Sequence, residues 1–255
     1  MDAHPPRFWE LFFAVYEALP RQGPGSRACA AQALALCGPQ PPRPQVLDLG
    51  CGSGAQTLHL AELTDARVLA IDNHAPFVTT LQGQLGPRGL AGRVTALVGD
   101  MAAPPVGPGT VDLIWSEGAA YFLGIEKALR LWRPLLRAGG HLAFSEAVWL
   151  SRRPPLAARR MWEREYPTMT DVAGNLARID AVGGFAVCGH FTLPDSAWWD
   201  DFYVPMEARI TALRRQHAGD DEALAVLASL AEEIEFHRQF GHTYGYEFFV
   251  LRRAD

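Results

Sequence analysis

Val46-Leu-Asp-Leu-Gly-Cys-Gly-Ser-Gly54 is the stretch from which the rest of the chain can be read. Its first four residues, apolar except for Asp48, have the composition of a buried strand. Glycines then fall at every second position, Gly50, Gly52 and Gly54. They let the backbone turn sharply and let a ligand lie against it with no Cβ in the way. Downstream, strand-like residues 68–71, 94–98, 111–115 and 141–144 alternate with helical stretches at 55–63, 76–85 and 125–136. Gly139-Gly140 ends the last of these helices. A further helix is expected at 175–182, with strands at 185–191 and 246–251. This alternation implies right-handed βαβ crossovers, so the expected fold is α/β: a doubly wound, mostly parallel seven-stranded sheet with helices on both faces.

Upstream, apolar side chains at helical spacing from Phe8 to Leu19 predict an amphipathic helix. Ser26 is placed to cap a second helix over 28–36, and the proline-rich residues 38–44 make a stiff linker. Residues 1–44 are therefore expected to be an N-terminal helical cap on a core of 45–255. That core carries a lid insert at 151–170 and a helical insert at 194–240, the latter holding helices near 206–215 and 222–237. The insert at 194–240 reads either as a pocket wall or as a homodimer interface.

The 255 residues are 49% apolar and 20% charged, which suits one large domain able to bury its own core. A net charge of −5 argues against nucleic acid as a partner. The four cysteines, Cys29, Cys37, Cys51 and Cys188, form no C-x-x-C pair, so neither a structural zinc nor a secreted disulfide framework is expected. Charged Asp2, Arg7, Glu10 and Glu17 interrupt the N-terminal apolar residues, against a signal peptide. No run approaches the roughly 18 apolar residues of a membrane span. These features predict a cytoplasmic protein without membrane or metal.

The chemistry follows from the glycine run and what lies beyond it. Asp72 ends the second strand eighteen residues past Gly54, where a carboxylate can take both hydroxyls of a ribose. The spacing differs from the G-x-G-x-x-G of dinucleotide-binding folds. With Asp48 just before it, the run resembles the first motif of the class I S-adenosylmethionine-dependent methyltransferases. Gly99-Asp100-Met101 after the third strand, Asp112-Leu-Ile-Trp115 in the fourth and Leu136-Arg-Ala-Gly-Gly-His-Leu142 at the turn into the fifth fit that family in order and spacing. The resemblance covers about residues 46–146. It implies S-adenosyl-L-methionine as cofactor, with Gly50 and Gly52 against its methionine part and Asp48 orienting the amino group. It further implies Asp72 on the ribose, Asn73 and His74 beside the adenine, and Asp100 and Met101 on the adenine amino group and ring. The alternative readings are a buried acid tying down the loop for Asp48, a core residue for Met101, and helix caps for Asp72 and Asp100, the last disfavoured by the ordered set of motifs. The segment Arg21-Gln-Gly-Pro-Gly25 either closes over the cofactor, with Arg21 and Gln22 touching it, or is a connecting turn.

For the acceptor, the residues to examine follow strands four and five: Ser116-Glu117-Gly118 with Tyr121, and Ser145-Glu146. Ser116 is expected beside the cofactor. Glu117 and Glu146, with Tyr121, are the candidate catalytic set, binding a cationic acceptor or serving as a base; the alternative is that one contacts the cofactor's amino group and the other caps a helix or pairs with an arginine. No Asn/Asp-Pro-Pro-Tyr/Phe and no Pro-Cys follows the fourth strand, which disfavours amino-methylating DNA enzymes and the cytosine-C5 route. The aromatic-rich periphery, with Trp162 and Tyr166 in the lid, suits a small organic acceptor. Two other readings stay open: aminopropyl transfer from a decarboxylated analogue, and a non-catalytic protein that binds the cofactor. His190 is expected in the core, and His237 and His242, five residues apart, on a solvated surface.

Overall fold

The computed structural model describes residues 4–254. Five parallel strands, β1 (Gln45–Leu49), β2 (Arg67–Asp72), β3 (Val94–Val98), β4 (Val111–Glu117) and β5 (Leu136–Trp149), follow one another along the chain. With β6 (Thr170–Asp171), β7 (Phe185–Thr192) and β8 (Tyr244–Arg253) they form one sheet in the order β3-β2-β1-β4-β5-β8-β7, with β6 beside β5. β8 runs antiparallel to both β5 and β7. The sheet has eight strands rather than seven because the two-residue β6 joins it.

Alternation along the strands feeds two cores. Val46, Leu113, Trp115, Ala143, Phe248 and Val250 face α2 (Arg27–Cys37), α3 (Ala55–Leu63) and α4 (Ala75–Leu85). Leu47, Ile114, Phe144, Phe249 and Leu251 face α5 (Ile125–Trp132) and α7 (Val172–Val182). On α5, Ile125, Ala128, Leu129 and Trp132 are buried at i, i+3, i+4 and i+7, the apolar stripe of a surface helix.

β5 is much longer than residues 141–144. The helix before it stops at Trp132, and Arg133–Leu135 makes a single 3-10 turn. Gly139 adopts φ +72 inside the strand, and the register shifts between Val111 and Leu113. The Gly139-Gly140 pair is thus an irregularity within a strand, where the sequence alone suggested a helix stop.

A third apolar cluster lies beyond the carboxyl ends of the strands. There α1 (Pro6–Tyr16) packs against α9 (Val204–Gln216) and α10 (Asp221–Phe240). Val15, Tyr16, Leu19, Trp198, Phe202, Tyr203, Met206 and Ile234 are buried in it, with Trp162 of α6 (Leu156–Glu165) at its margin. A short helix α8 (Ser196–Trp198) and a π turn over Trp199–Tyr203 lead into α9. The first two helices therefore part company: α1 joins this outer cluster, while α2 lies on the sheet. Ser26 caps α2, accepting from the Cys29 amide at 3.1 Å. His237 is buried against Trp198, ring centroids 4.4 Å apart, and not on a solvated surface as the sequence suggested. His190 lies instead on the outer strand β7, half-exposed, with Nδ1 2.5 Å from Glu247. No helix among the described residues is long and apolar enough to cross a membrane.

Candidate functional site

The glycine loop lies between β1 and α3, and all three glycines have left-handed φ: +76 at Gly50, +54 at Gly52 and +93 at Gly54. Space is as restrictive as conformation. A Cβ would come within 2.4 Å of Ala119 Cβ at Gly50, 2.4 Å of Gln22 Oε1 at Gly52 and 2.3 Å of Leu81 Cδ1 at Gly54. Asp72 at the end of β2 accepts from the amides of Gly52 and His74, both at 2.9 Å, and so fixes the loop to the neighbouring strand. Gln22 braces the loop from the other side. Its Oε1 accepts from the Ser53 amide at 2.8 Å and the Ser53 hydroxyl at 3.0 Å, while its Nε2 donates to Tyr16 O.

Asp48 is fully buried beneath this loop. Its Oδ2 accepts from the Thr57 hydroxyl at 2.5 Å, and its Oδ1 has no partner. Burial, helped by nearby Glu117, pushes the carboxyl up to about 7. Arg21 is also buried and gives an ion pair of 2.6 Å to Glu117 Oε2, leaving its Nη1 without a partner. Unpaired buried polar atoms are rare and costly, and here one is an acceptor and the other a cationic donor in the same neighbourhood. A ligand offering an ammonium to Asp48 and a carboxylate to Arg21 satisfies both. That is the head group of an α-amino acid.

Glu117, at the end of β4, has both oxygens engaged: Oε1 accepts from Trp115 Nε1 at 2.9 Å and Oε2 from Arg21. Ser116 is buried, its hydroxyl donating to Leu49 O at 2.9 Å across to β1. His74 does not stand free beside the loop; its Nε2 is 2.7 Å from Glu17 and its ring stacks on Phe13 at 4.0 Å, so α1 is docked over it. Asn73 is exposed. Asp100 is exposed and accepts from the Ala102 amide at 2.8 Å, and half-buried Met101 presents its carbonyl to Trp132 Nε1 at 2.9 Å.

A second group stands over the ends of β4, β5 and β8. Glu146 is buried; its Oε1 accepts from the Ala147 amide at 3.1 Å and its Oε2 has no partner. Burial pushes this carboxyl up to about 8, against the opposing pull of Tyr166 and Arg178. Tyr121 and Tyr166 tilt together with ring centroids 5.5 Å apart. Tyr246 and Glu233 complete this wall, and neither is among the site candidates drawn from the sequence. Tyr246 sits in an apolar strand. Glu233 lies on α10 in line with buried Leu230 and His237, a carboxylate on an apolar stripe, and that misplacement is the signal by which it was detectable. Among the described residues no group of three His, Cys, Asp or Glu side chains could hold a metal ion.

Residues 46–140 match the family described as a methyltransferase domain. The matched segment holds β1 to β4, the glycine loop, Asp48, Asp72, Asp100 and Glu117. Over 120 residues the chain is 31% identical to the probable cobalt-precorrin-6B C(15)-methyltransferase (decarboxylating) of Methanothermobacter thermautotrophicus, covering 47% of this chain and 61% of that one. Over 123 residues it is 35% identical to the trans-aconitate 2-methyltransferase of Deinococcus radiodurans, covering 46% and 43%. The chain thus spans about half the length of these curated relatives. A SAM-dependent methyltransferase of Geobacter sulfurreducens, solved with S-adenosyl-L-homocysteine, superposes over the whole of both chains with a TM-score of 0.82 at 22% identity. The chain therefore shares the fold of that protein.

Proposed function

We propose that the chain is an S-adenosylmethionine-dependent methyltransferase acting on a small organic acceptor. The observation that carries this reading is the pair of unpartnered buried atoms, Asp48 Oδ1 and Arg21 Nη1, beside a loop of three left-handed glycines. They fit the two charges at the amino-acid end of the cofactor, and Asp72 at the end of β2 fits its ribose. Bound there, the cofactor supplies a methyl group on a positively charged sulfur.

The protein's own part is to align and enclose, since displacement at a methyl carbon demands in-line geometry above all. Asp48 holds the ammonium and Arg21 the carboxylate. Glu117 keeps the guanidinium in place and is a positioning residue rather than a base, because both its oxygens are occupied. Asp100 and Met101 border the adenine side, with Asn73 and His74 next to them. α1 covers this edge through the His74–Phe13 stack and the His74–Glu17 contact. Tyr121 and Glu146 border the acceptor. A carboxyl near 8 exchanges protons at neutral pH, so Glu146 can take the proton that an acceptor must lose.

Titration calorimetry with S-adenosylhomocysteine and, in parallel, NAD tests the reading. Binding of the homocysteine compound alone, lost in Asp72→Ala, is expected. Binding of NAD alone would overturn the assignment.

A further inference from the structure

Tyrosines from three distant parts of the chain come close enough beyond the ends of the strands for Tyr121 and Tyr246 to act electrostatically on Tyr16. Tyr16 comes from α1, Tyr121 from the turn after β4 and Tyr246 from the start of β8. Glu233 on α10 accepts from the Tyr16 hydroxyl at 3.2 Å and the Tyr203 hydroxyl at 3.0 Å. Glu233 is exposed, yet the two hydroxyls it accepts from belong to buried tyrosines, and burial pushes its carboxyl up. A side chain has both properties when it lines a hollow inside the molecule. The Tyr246 ring packs on Gly118, where a Cβ would lie 3.0 Å from Cε2. Beside it stand Tyr121 and, buried with Oε2 unpartnered, Glu146.

The electrostatics of this hollow are one-sided. Burial first, and Glu146 and Glu233 among its neighbours, push up the phenols of both Tyr121 and Tyr246. Among the described residues, the leading charges acting on Tyr16, Tyr121, Tyr246 and Glu233 are all acidic, Glu165 of α6 included. The one cation that acts on Glu146, Arg178, is engaged by Glu126 at 3.5 Å and by Asn175 Oδ1 at 3.2 Å.

We propose that this hollow takes the methyl acceptor as a cation, a small amine held among the Tyr16, Tyr121 and Tyr246 rings with Glu233 as its fixed counter-charge. The proposal rests on the methyl-transfer reading above and names its substrate class. Aromatic faces and a nearby carboxylate attract an ammonium, whereas a carboxylate acceptor would meet like charge on two sides. For transfer, the ammonium gives one proton to Glu146 Oε2 and the freed nitrogen lone pair forms the new N–C bond. The C–S bond breaks with its electron pair left on sulfur, so the sulfonium becomes a neutral thioether and the amine a methylated ammonium.

The test uses two forms of the full chain, wild type and Glu233→Gln, loaded with S-adenosylhomocysteine, in calorimetry. Phenyltrimethylammonium and benzoate, one ring each and opposite in charge, are titrated into wild type saturated with S-adenosylhomocysteine. The cation is expected to bind about tenfold or more tighter than benzoate. Glu233→Gln, which keeps an oxygen for Tyr16 and Tyr203, is expected to lose about tenfold for the cation while its S-adenosylhomocysteine affinity stays within about twofold of wild type. Benzoate binding as tightly as the cation, binding of neither probe, or an unaltered cation affinity in Glu233→Gln overturns this proposal alone. The wild-type comparison stands whether or not the variant folds. Failure of S-adenosylhomocysteine itself to bind overturns the methyl-transfer reading, and the amine proposal with it.

Discussion

Removing Arg21 should damage stability and ligand binding by separable amounts. The Arg21–Glu117 pair is 2.6 Å long with side chains only 4% and 3% exposed. Arg21→Met leaves Glu117 buried without its counter-charge, a loss of about 3–5 kcal/mol for such pairs. In a chain of this size each kcal/mol moves the melting temperature by roughly 2 °C, so the variant should melt roughly 6–10 °C lower. Adding Glu117→Gln removes the stranded charge while keeping an oxygen for Trp115 Nε1, and most of the melting temperature should return. Ligand affinity should not return with it. Arg21 Nη1 is the donor reserved for the ligand carboxylate, and a charged hydrogen bond of about 1.5–3 kcal/mol corresponds to roughly a ten- to hundredfold change in Kd. Thermal melts with calorimetry of S-adenosylhomocysteine on wild type, the single and the double variant read both effects. Recovery of stability and affinity together in the double variant would refute the assignment of Nη1 to the ligand.

Asp48, with its carboxyl at about 7, must ionise to hold an ammonium, so S-adenosylhomocysteine affinity should fall as pH drops below about 7 and become flat and weak in Asp48→Asn. Because folding raises the carboxyls of both Asp48 and Glu146, the folded state binds more protons than the unfolded one between their ordinary and shifted values. These groups should therefore make the free protein less stable as pH rises from about 4 to about 8, and Asp48→Asn should raise its melting temperature at pH 8. Gly52→Ala, strained at φ +54 and driven into Gln22 Oε1, should weaken ligand affinity and speed proteolysis near Gly25; an unchanged cleavage rate would count against the bracing role of Gln22. Ser26→Ala should cost about 1 kcal/mol through loss of the α2 cap and leave ligand affinity unaltered in the same calorimetry.

What could be read beforehand was local. The glycine loop, the strand before it and Asp72 at the end of the next strand occupy a few dozen residues, and their meaning lies in spacing and backbone freedom. α3 and β3 likewise declare themselves through short runs of one periodicity. Gly139-Gly140 misled because glycine ends helices and also relieves strands, and only the neighbouring strand decides between them. Arg21 and Glu117 are 96 positions apart, and nothing near either residue points to the other. His237 looked like a surface residue because its burial comes from Trp198 and Tyr244, on other elements. Glu233 gives one local sign, a carboxylate on the apolar stripe of α10, but its partners Tyr16 and Tyr203 belong to segments whose packing no local pattern encodes.

The hydrogen bond from Tyr16 to Glu233 joins residues 217 positions apart, and Arg7 reaches Asp220 across 213. On a ribosome this separation becomes time. At about 5–20 residues per second, α1 waits roughly ten to forty seconds after its own synthesis before α10 exists to cover it. Through that interval the faces that will carry Leu11, Val15 and Tyr16 inward are open to water and to other chains, while the strands from β1 to β4 already have their partners. The outer cluster thus closes late, with only β8 and its pairing to β5 and β7 still to follow, and is long exposed to misassembly during synthesis.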